Sequence, residues 1–282
     1  MEMNYTPIII TGNWKTGTTL LQYLLMRDKE IKSIFPTRGT NDYEGLWWWK
    51  RVGVYDKGVI GLQNHVVPKD RITTVDYRYM RLWMNSNVGD YKYILLKTPQ
   101  LILNLHIVNA LFPNNKILAT SRELIPTVYS YLRQNANCKR NSRKGMKPPG
   151  WQRYGRKSTI AFAVYAWYYA EDIIRKENLF RVKYSDICDN TEETLNSIAD
   201  YIGKDLNIDY ENINNLNNAY KTGTILHTRN RETSLYGKLQ LDTPDKIEFP
   251  PMTKAQLEEV EEMSKKCEKE FGFSEEDIYG NE

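Results

Sequence analysis

Residues 12–19, with the sequence GNWKTGTT, combine the residue types that bind phosphate-like anions. Gly12 and Gly17 allow a ligand to approach the backbone closely, and Lys15 supplies a positive charge inside the segment. Three isoleucines before the segment predict a buried strand, and leucines at helical spacing after it predict a helix. Because N–H groups at a helix start are unpaired and carry the positive end of the helix dipole, an anion site is expected here.

The segment differs from an ATP-binding loop of the form G-x-x-x-x-G-K-[ST] at one decisive position. Both glycines and the final Thr19 are present, but Thr18 stands where the lysine belongs. Lys15 therefore offers its charge to the anion from another direction. An ordinary strand-to-helix turn is the alternative interpretation of this segment.

Cations follow the ends of the other predicted strands. Lys97 follows an apolar strand at 93–96, and Arg122 follows a strand at 116–120. A magnesium-dependent ATP site needs an Asp at such a strand end, but Asp186 lies beyond the strand predicted at 180–184. We therefore expect side chains, and no metal ion, to neutralise the anion.

The alternation of strands and helices predicts an α/β fold with a P-loop-type parallel sheet flanked by helices on both faces. We expect one domain over residues 1–282, with residues 26–49 irregular. A Thr253–Gln256 capping box is expected to start a last helix that ends at Gly272. Further strands are predicted at 59–67, 93–96, 116–120 and 180–184, and helices at 76–85, 101–112, 126–133, 158–176 and 190–202.

Composition excludes several classes of protein. A net charge of +4 is too mild for a dedicated nucleic-acid binder. Three scattered cysteines indicate neither a disulfide framework nor a zinc site. Without a signal-peptide pattern or an apolar run long enough to span a bilayer, we expect a soluble, cytoplasmic protein with no transmembrane segment. Its oligomeric state does not follow from the pattern.

Two polar segments and one aromatic run need a separate interpretation. Residues 135–157 are basic and contain Pro and Gly, so they are interpreted as a solvated loop. A nucleic-acid patch is the less favoured alternative, and a lid over an anionic ligand lies between the two. Residues 214–238 are expected to be an irregular surface segment. The tryptophans at 47–49 cannot all face one core, so one of them is a candidate for an acceptor site.

The chain resembles the sulfotransferases that use 3′-phosphoadenosine 5′-phosphosulfate (PAPS), and more closely the Golgi and bacterial members. Their 5′-phosphosulfate loop has the form [KR]-[ST]-G-T-[ST], which here is KTGTT at 15–19. Their 3′-phosphate segment has an Arg followed eight residues later by a Ser, as Arg122 and Ser130 are here. The segments LLKTP, VKYSDICDNTEETLNSIADYIG and SLYGKL also resemble blocks of that family.

The resemblance implies specific roles for residues of both motifs. Lys15 would stabilise charge on the leaving phosphate, and Arg122 with Ser130 would hold the 3′-phosphate. A surface ion pair with Glu123 is the alternative for Arg122. The implied nucleotide-binding residues are Asn13, Trp14, Lys15, Thr16, Gly17, Thr18, Thr19, Arg122, Ser130, Tyr184, Arg229, Arg231, Gly237 and Lys238.

The general base has two candidates. Cytosolic members use a His in a K-T-H-L segment, which here is replaced by Pro99. Golgi and bacterial members use a Glu downstream of the loop, and Glu44 occupies a comparable place, with His65 as the competitor. Lys97 is expected either to help to organise the site or only to pair with an acid.

The resulting hypothesis is in-line, metal-independent transfer of a sulfuryl group from PAPS to a hydroxyl or amine. The product nucleotide would be adenosine 3′,5′-bisphosphate (PAP), and the acceptor a glycan, a lipid, a tyrosine, or a small phenol or alcohol. A P-loop small-molecule kinase using ATP and magnesium is the first alternative. A non-catalytic nucleotide-binding protein is the second.

Overall fold

A computed structural model describes residues 4–33, 66–67, 74–136, 146–155, 158–208 and 251–273. In this part of the chain, five parallel strands form one sheet in the order β2-β3-β1-β4-β5. The strands are β1 (Thr6–Gly12), β2 (Ile31–Ser33), β3 (Tyr93–Lys97), β4 (Lys116–Ser121) and β5 (Phe180–Lys183). The first strand is central, so the phosphate-type loop that follows it lies in the middle of the sheet's carboxyl edge.

The helices of the described residues fall between and after these strands. A 3₁₀ helix spans Pro99–Asn104. The α-helices are α1 (Thr18–Leu25), α2 (Thr74–Val88), α3 (Leu105–Leu111), α4 (Leu124–Ala136), α5 (Gln152–Gly155), α6 (Thr159–Lys176), α7 (Tyr184–Asp189), α8 (Thr191–Ile202) and α9 (Lys254–Phe271).

Alternate residues of β1 contribute to cores on opposite faces of the sheet. Ile8 and Ile10 pack in a cluster with the leucines of α1 and with residues of α8. Ile9 packs on the other face with residues of α2 and α3. Since both faces of a parallel sheet are covered in this way, the predicted α/β fold with helices on both faces is confirmed.

A third, aromatic-rich cluster joins α4, α6 and α9 beside the sheet. It contains Tyr131 of α4, Phe162 and Tyr168 of α6, and Cys267 of α9, all of them buried. The predicted capping box is present at the start of α9, and Gly272 caps the helix end in the left-handed region. None of the described helices is long and apolar enough to cross a membrane.

Three sequence predictions of secondary structure were wrong in detail. The segment 26–49 was expected to be irregular, but it contains β2. The three residues of this strand are too few to show an alternating pattern. The helix expected at 101–112 is divided at Asn104, because its side chain donates to the Gln100 carbonyl and accepts from Val67 N–H. A strand was expected at 59–67, but residues 66–67 are not in a strand. Residues 59–65 lie outside the described residues.

Other predicted segments are described only in part. Within the predicted basic loop 135–157, α4 continues to Ala136 and α5 spans Gln152–Gly155, while 137–145 and 156–157 lie outside the described residues. Residues 214–238 also lie outside them. The lid, the surface segment and the single domain over 1–282 stay predictions.

Candidate active site

Three residues in or beside the loop between β1 and α1 have left-handed backbone conformations. Gly12, Lys15 and Gly17 all have positive φ angles, at 140°, 73° and 94°. Two of these positions require glycine for space as well. A Cβ on Gly12 would lie 2.4 Å from the Thr120 carbonyl oxygen, and one on Gly17 would lie 2.5 Å from the Tyr184 ring. The two glycines therefore allow the loop to pack directly on its neighbours.

Buried hydroxyl groups tie the loop to the end of β4. The Thr16 hydroxyl donates to the Asn13 carbonyl at 2.7 Å and lies 2.7 Å from the Thr120 hydroxyl. Thr120 Oγ1 in turn donates to the Thr11 carbonyl at 3.2 Å. Because the Thr16 hydroxyl is occupied by protein groups, its predicted contact with a nucleotide would come from its backbone N–H.

The side chain of Asn13 bridges the loop to α4. Its Oδ1 accepts hydrogen bonds from the Trp14 N–H at 2.8 Å and from the Tyr131 hydroxyl at 3.0 Å. Asn13 Nδ2 and Trp14 Nε1 are buried donors without a hydrogen-bond partner among the described residues. The loop thus carries two buried donors that the described residues leave unsatisfied.

Arg122 lies between this loop and the start of α7. Its Nη1 donates to the Lys15 carbonyl at 3.4 Å, and its Cζ lies 4.3 Å from the centre of the Tyr184 ring. Trp167 Nε1 donates to the Arg122 carbonyl at 2.7 Å and so fixes the backbone of that residue. Arg122 Nε is a third buried donor without a partner within the described chain.

Tyr184 serves this arrangement as a neutral ring. Burial is the main cause that raises the pKa of Tyr184 to about 12, and the neighbouring Cys188 acts in the same direction. The phenol is therefore protonated at neutral pH. Its ring contacts the guanidinium of Arg122 on one side and leaves no space for a side chain on Gly17.

Lys97 lies at the neighbouring strand end. It is the last residue of β3, pairs in register with Ile10 of β1 and is only 3% exposed. The chain after it is fastened to β1 twice, because the Thr98 N–H donates to the Ile10 carbonyl and the Thr11 hydroxyl donates to the Pro99 carbonyl. The buried cation is therefore held beside the loop's own strand.

The structure brings most of the implied nucleotide site together and leaves part of it undescribed. The loop, Arg122 and Tyr184 are in contact, while Ser130 is half-buried in the second turn of α4. The predicted residues Glu44, His65, Arg229, Arg231, Gly237 and Lys238 lie outside the described residues.

Three structurally important residues were not assigned to the site by the sequence argument. Thr120 and Tyr131 bond to the loop, and Trp167 bonds to Arg122. Buried aromatic residues on helices look like core in a sequence, so only the position of Tyr131 directly after Ser130 was a usable signal. Nothing in a linear pattern distinguishes a core hydroxyl from one that bonds to a loop.

A buried ion pair lies behind the end of β4. Glu171 of α6 is 2% exposed, and its Oε2 lies 3.2 Å from Arg181 Nη2 of β5. Burial raises the pKa of Glu171 to about 7, although Arg181 and a hydrogen bond with Ser121 act in the opposite direction. Among the described residues, no cluster of His, Cys, Asp and Glu could hold a metal ion.

Comparison with known proteins identifies one matching family. The model of the family described as "Sulfotransferase family" matches residues 7–207, which include the loop, Arg122 and Tyr184. A search of curated protein sequences finds no significant match.

Solved structures similar to this chain are sulfotransferases of low sequence identity. A sulfotransferase from Mycobacterium avium is 13% identical, with 97% of this chain and 78% of that chain covered and a TM-score of 0.47. The sulfotransferase domain of the Synechococcus PCC 7002 olefin synthase is 13% identical, with 95% and 94% covered and a TM-score of 0.44. A sulfotransferase domain from the curacin biosynthetic pathway is 12% identical, with 97% and 99% covered and a TM-score of 0.49.

Proposed function

The chain belongs to the sulfotransferase family, and from that premise we propose that it transfers a sulfuryl group from PAPS to a hydroxyl or amine of an acceptor. The observation that supports the choice of donor is the position of Arg122. Its guanidinium lies against Tyr184 and bonds to the carbonyl of Lys15 in the phosphate loop. A nucleotide phosphorylated at both the 5′ and the 3′ position can engage the loop and this guanidinium together.

The polar groups at the site fit a nucleotide that carries anionic groups at both its 5′ and its 3′ position. Asn13 Nδ2, Trp14 Nε1 and Arg122 Nε are all N–H donors, all buried, and without partners in the described part of the chain. A buried donor left without an acceptor costs about 1–3 kcal/mol. Phosphate and sulfate oxygens are acceptors only, so ligand binding would offset that cost.

The proposed reaction needs charge stabilisation more than covalent work by the protein. PAPS supplies the activated sulfuryl group. The acceptor atom forms a new bond to sulfur as the bond from sulfur to the bridging oxygen of the 5′-phosphate breaks in line. Lys15 and the N–H groups of Gly17, Thr18 and Thr19 would stabilise the charge that develops on the released phosphate.

A base must remove the proton of the acceptor. Glu44 and His65 are both retained as candidates, since either side chain can accept a proton near neutral pH when its surroundings adjust its pKa. Lys97, buried at the end of β3, is proposed to organise charge beside the transferring group. The reaction is proposed to proceed without a metal ion.

Isothermal calorimetry with two nucleotides tests the choice of donor. We expect tight binding of PAP that does not change when EDTA replaces magnesium. Weak PAP binding together with magnesium-dependent ATP binding would instead support the small-molecule kinase.

A turnover assay tests whether the protein is an enzyme and what it modifies. PAPS is incubated with a panel of glycans, lipids, tyrosine peptides, and small phenols and alcohols, and sulfated products are detected by mass spectrometry. Glu44→Ala and His65→Ala are then compared with the same acceptor. Binding of PAP with no turnover on any acceptor class would favour a non-catalytic nucleotide-binding protein.

A further inference from the structure

Tyr131 of α4 is a fully buried residue whose hydroxyl reaches the phosphate loop. It is 0% exposed and donates to Asn13 Oδ1 at 3.0 Å. Burial raises the pKa of Tyr131, and a hydrogen bond from the backbone of Met146 to this hydroxyl acts in the opposite direction, as an N–H donor does. Because the Met146 N–H donates to the Tyr131 oxygen, the hydroxyl proton of Tyr131 is directed to Asn13 Oδ1.

The contacts of Asn13 determine which end of its amide faces the protein. The Trp14 N–H donates to Asn13 at 2.8 Å, so the atom that receives it must be the oxygen. The Tyr131 hydroxyl bonds to the same oxygen. The amide nitrogen is left buried and without an acceptor among the residues that the structure describes. An N–H donor in an anion-binding loop is thus fixed in orientation before any ligand arrives.

The packing around Tyr131 makes it a rigid support. Its ring meets Phe162 of α6 edge to face, with the centroids 6.1 Å apart, within the cluster that joins α4, α6 and α9. It also directly follows Ser130, the residue implied in binding the 3′-phosphate. One turn of α4 therefore joins the loop to the other end of the proposed nucleotide site.

We propose that Tyr131 is a positioning residue that orients the Asn13 amide, so that Asn13 Nδ2 donates a hydrogen bond to the 5′-phosphate group of the nucleotide. The inference rests on the proposed function and deepens it. Asn13 touches the ligand, whereas Tyr131 acts only through Asn13. Loss of either should impair recognition of the 5′-phosphate and leave recognition of the 3′-phosphate intact.

The test is a double-mutant cycle with Tyr131→Phe, Asn13→Ala and the double variant. Affinities for PAP and for adenosine 3′-monophosphate are measured by calorimetry or competition. We expect Tyr131→Phe to weaken PAP binding about three- to tenfold, the effect of one hydrogen bond. Asn13→Ala should weaken it at least as much, and the double variant should match Asn13→Ala. Affinity for adenosine 3′-monophosphate should not change.

Tyr168→Phe is the matched control. Tyr168 is also 0% exposed, and its hydroxyl donates to Glu268 Oε1 at 2.9 Å, on the interface of α6 with α9. Removing the Tyr168 hydroxyl is the same chemical change in the same cluster, but we expect this variant to bind PAP with wild-type affinity. Thermal unfolding of all variants shows whether a loss of affinity reflects a loss of folded protein.

Several results would overturn the inference. These are wild-type PAP affinity in Tyr131→Phe or in Asn13→Ala, additive losses in the double variant, and equal losses for PAP and adenosine 3′-monophosphate. If Tyr131→Phe does not fold, Tyr131 supports the fold and its assignment as a positioning residue is overturned, while Asn13→Ala still tests the contact of Asn13 with the 5′-phosphate. Failure of the wild-type protein to bind PAP would refute the proposed function itself, which is a distinguishable outcome.

Discussion

Arg122 permits the sharpest test of how the two proposed phosphate sites are divided, because it contacts the loop and is implied by the family resemblance in binding the 3′-phosphate. Its guanidinium bonds to the Lys15 carbonyl of the loop and lies on the Tyr184 ring. The sequence assigns it to the 3′-phosphate instead. Arg122→Lys keeps the positive charge and removes the planar fork that binds phosphate in a bidentate manner.

The expected magnitude follows from the contacts that are lost. A hydrogen bond to a charged group contributes about 1.5–3 kcal/mol, which corresponds to about 10- to 150-fold in Kd. The contact with the Lys15 carbonyl is long, at 3.4 Å, and so contributes little by comparison. If Arg122 holds the 3′-phosphate, most of the loss should therefore concern that group.

Calorimetry with PAP and adenosine 5′-monophosphate measures this difference. We expect Arg122→Lys to weaken PAP binding by about 10- to 150-fold and to leave the affinity for adenosine 5′-monophosphate nearly unchanged. Arg133→Lys is the matched control, since Arg133 is an exposed arginine on α4. The Arg133→Lys variant should bind both nucleotides with the affinity of the wild type.

An equal loss for both nucleotides would refute the reasoning. It would mean that Arg122 serves the protein by supporting the loop at Lys15, and that some other group selects the 3′-phosphate. An unchanged PAP affinity would exclude Arg122 from both roles.

Three further predictions concern catalysis and stability. Lys15→Ala should lower kcat about 10²- to 10³-fold in a PAPS turnover assay, while Lys29→Ala, at an exposed position, should not. Because the pKa of Glu171 is raised from 4.5 to about 7, the folded state binds the proton more tightly than the unfolded state. The free energy of unfolding should therefore fall as pH rises from about 4.5 to 7, and Glu171→Gln should remove this dependence in urea titrations. Thr253→Ala removes the side-chain cap of α9 and should lower the free energy of unfolding by about 1 kcal/mol, as measured by urea denaturation.

Much of the fold was predictable because local patterns carry it. The apolar runs at β1, β3 and β4 and the capping box of α9 are complete within a few residues, so they show in the sequence. The three-residue strand β2 and the break at Asn104 were not predictable. Both depend on partners far along the chain, β3 for the strand and Val67 for the asparagine.

The sequence alone determined the chemistry of residues 12–19: two glycines, a lysine and three threonines after a strand and at the start of a helix, with Arg122 eight residues before Ser130. Those identities and spacings are local, and they are enough to predict an anion site and the family. Only the tertiary structure decided how the site is held. Tyr131 and Tyr184 are brought to the loop by the packing of separate helices, and the direction of a buried hydroxyl depends on neighbours distant in sequence. For this reason, the donors at Asn13, Trp14 and Arg122 that have no partner among the described residues became visible only once the chain was folded.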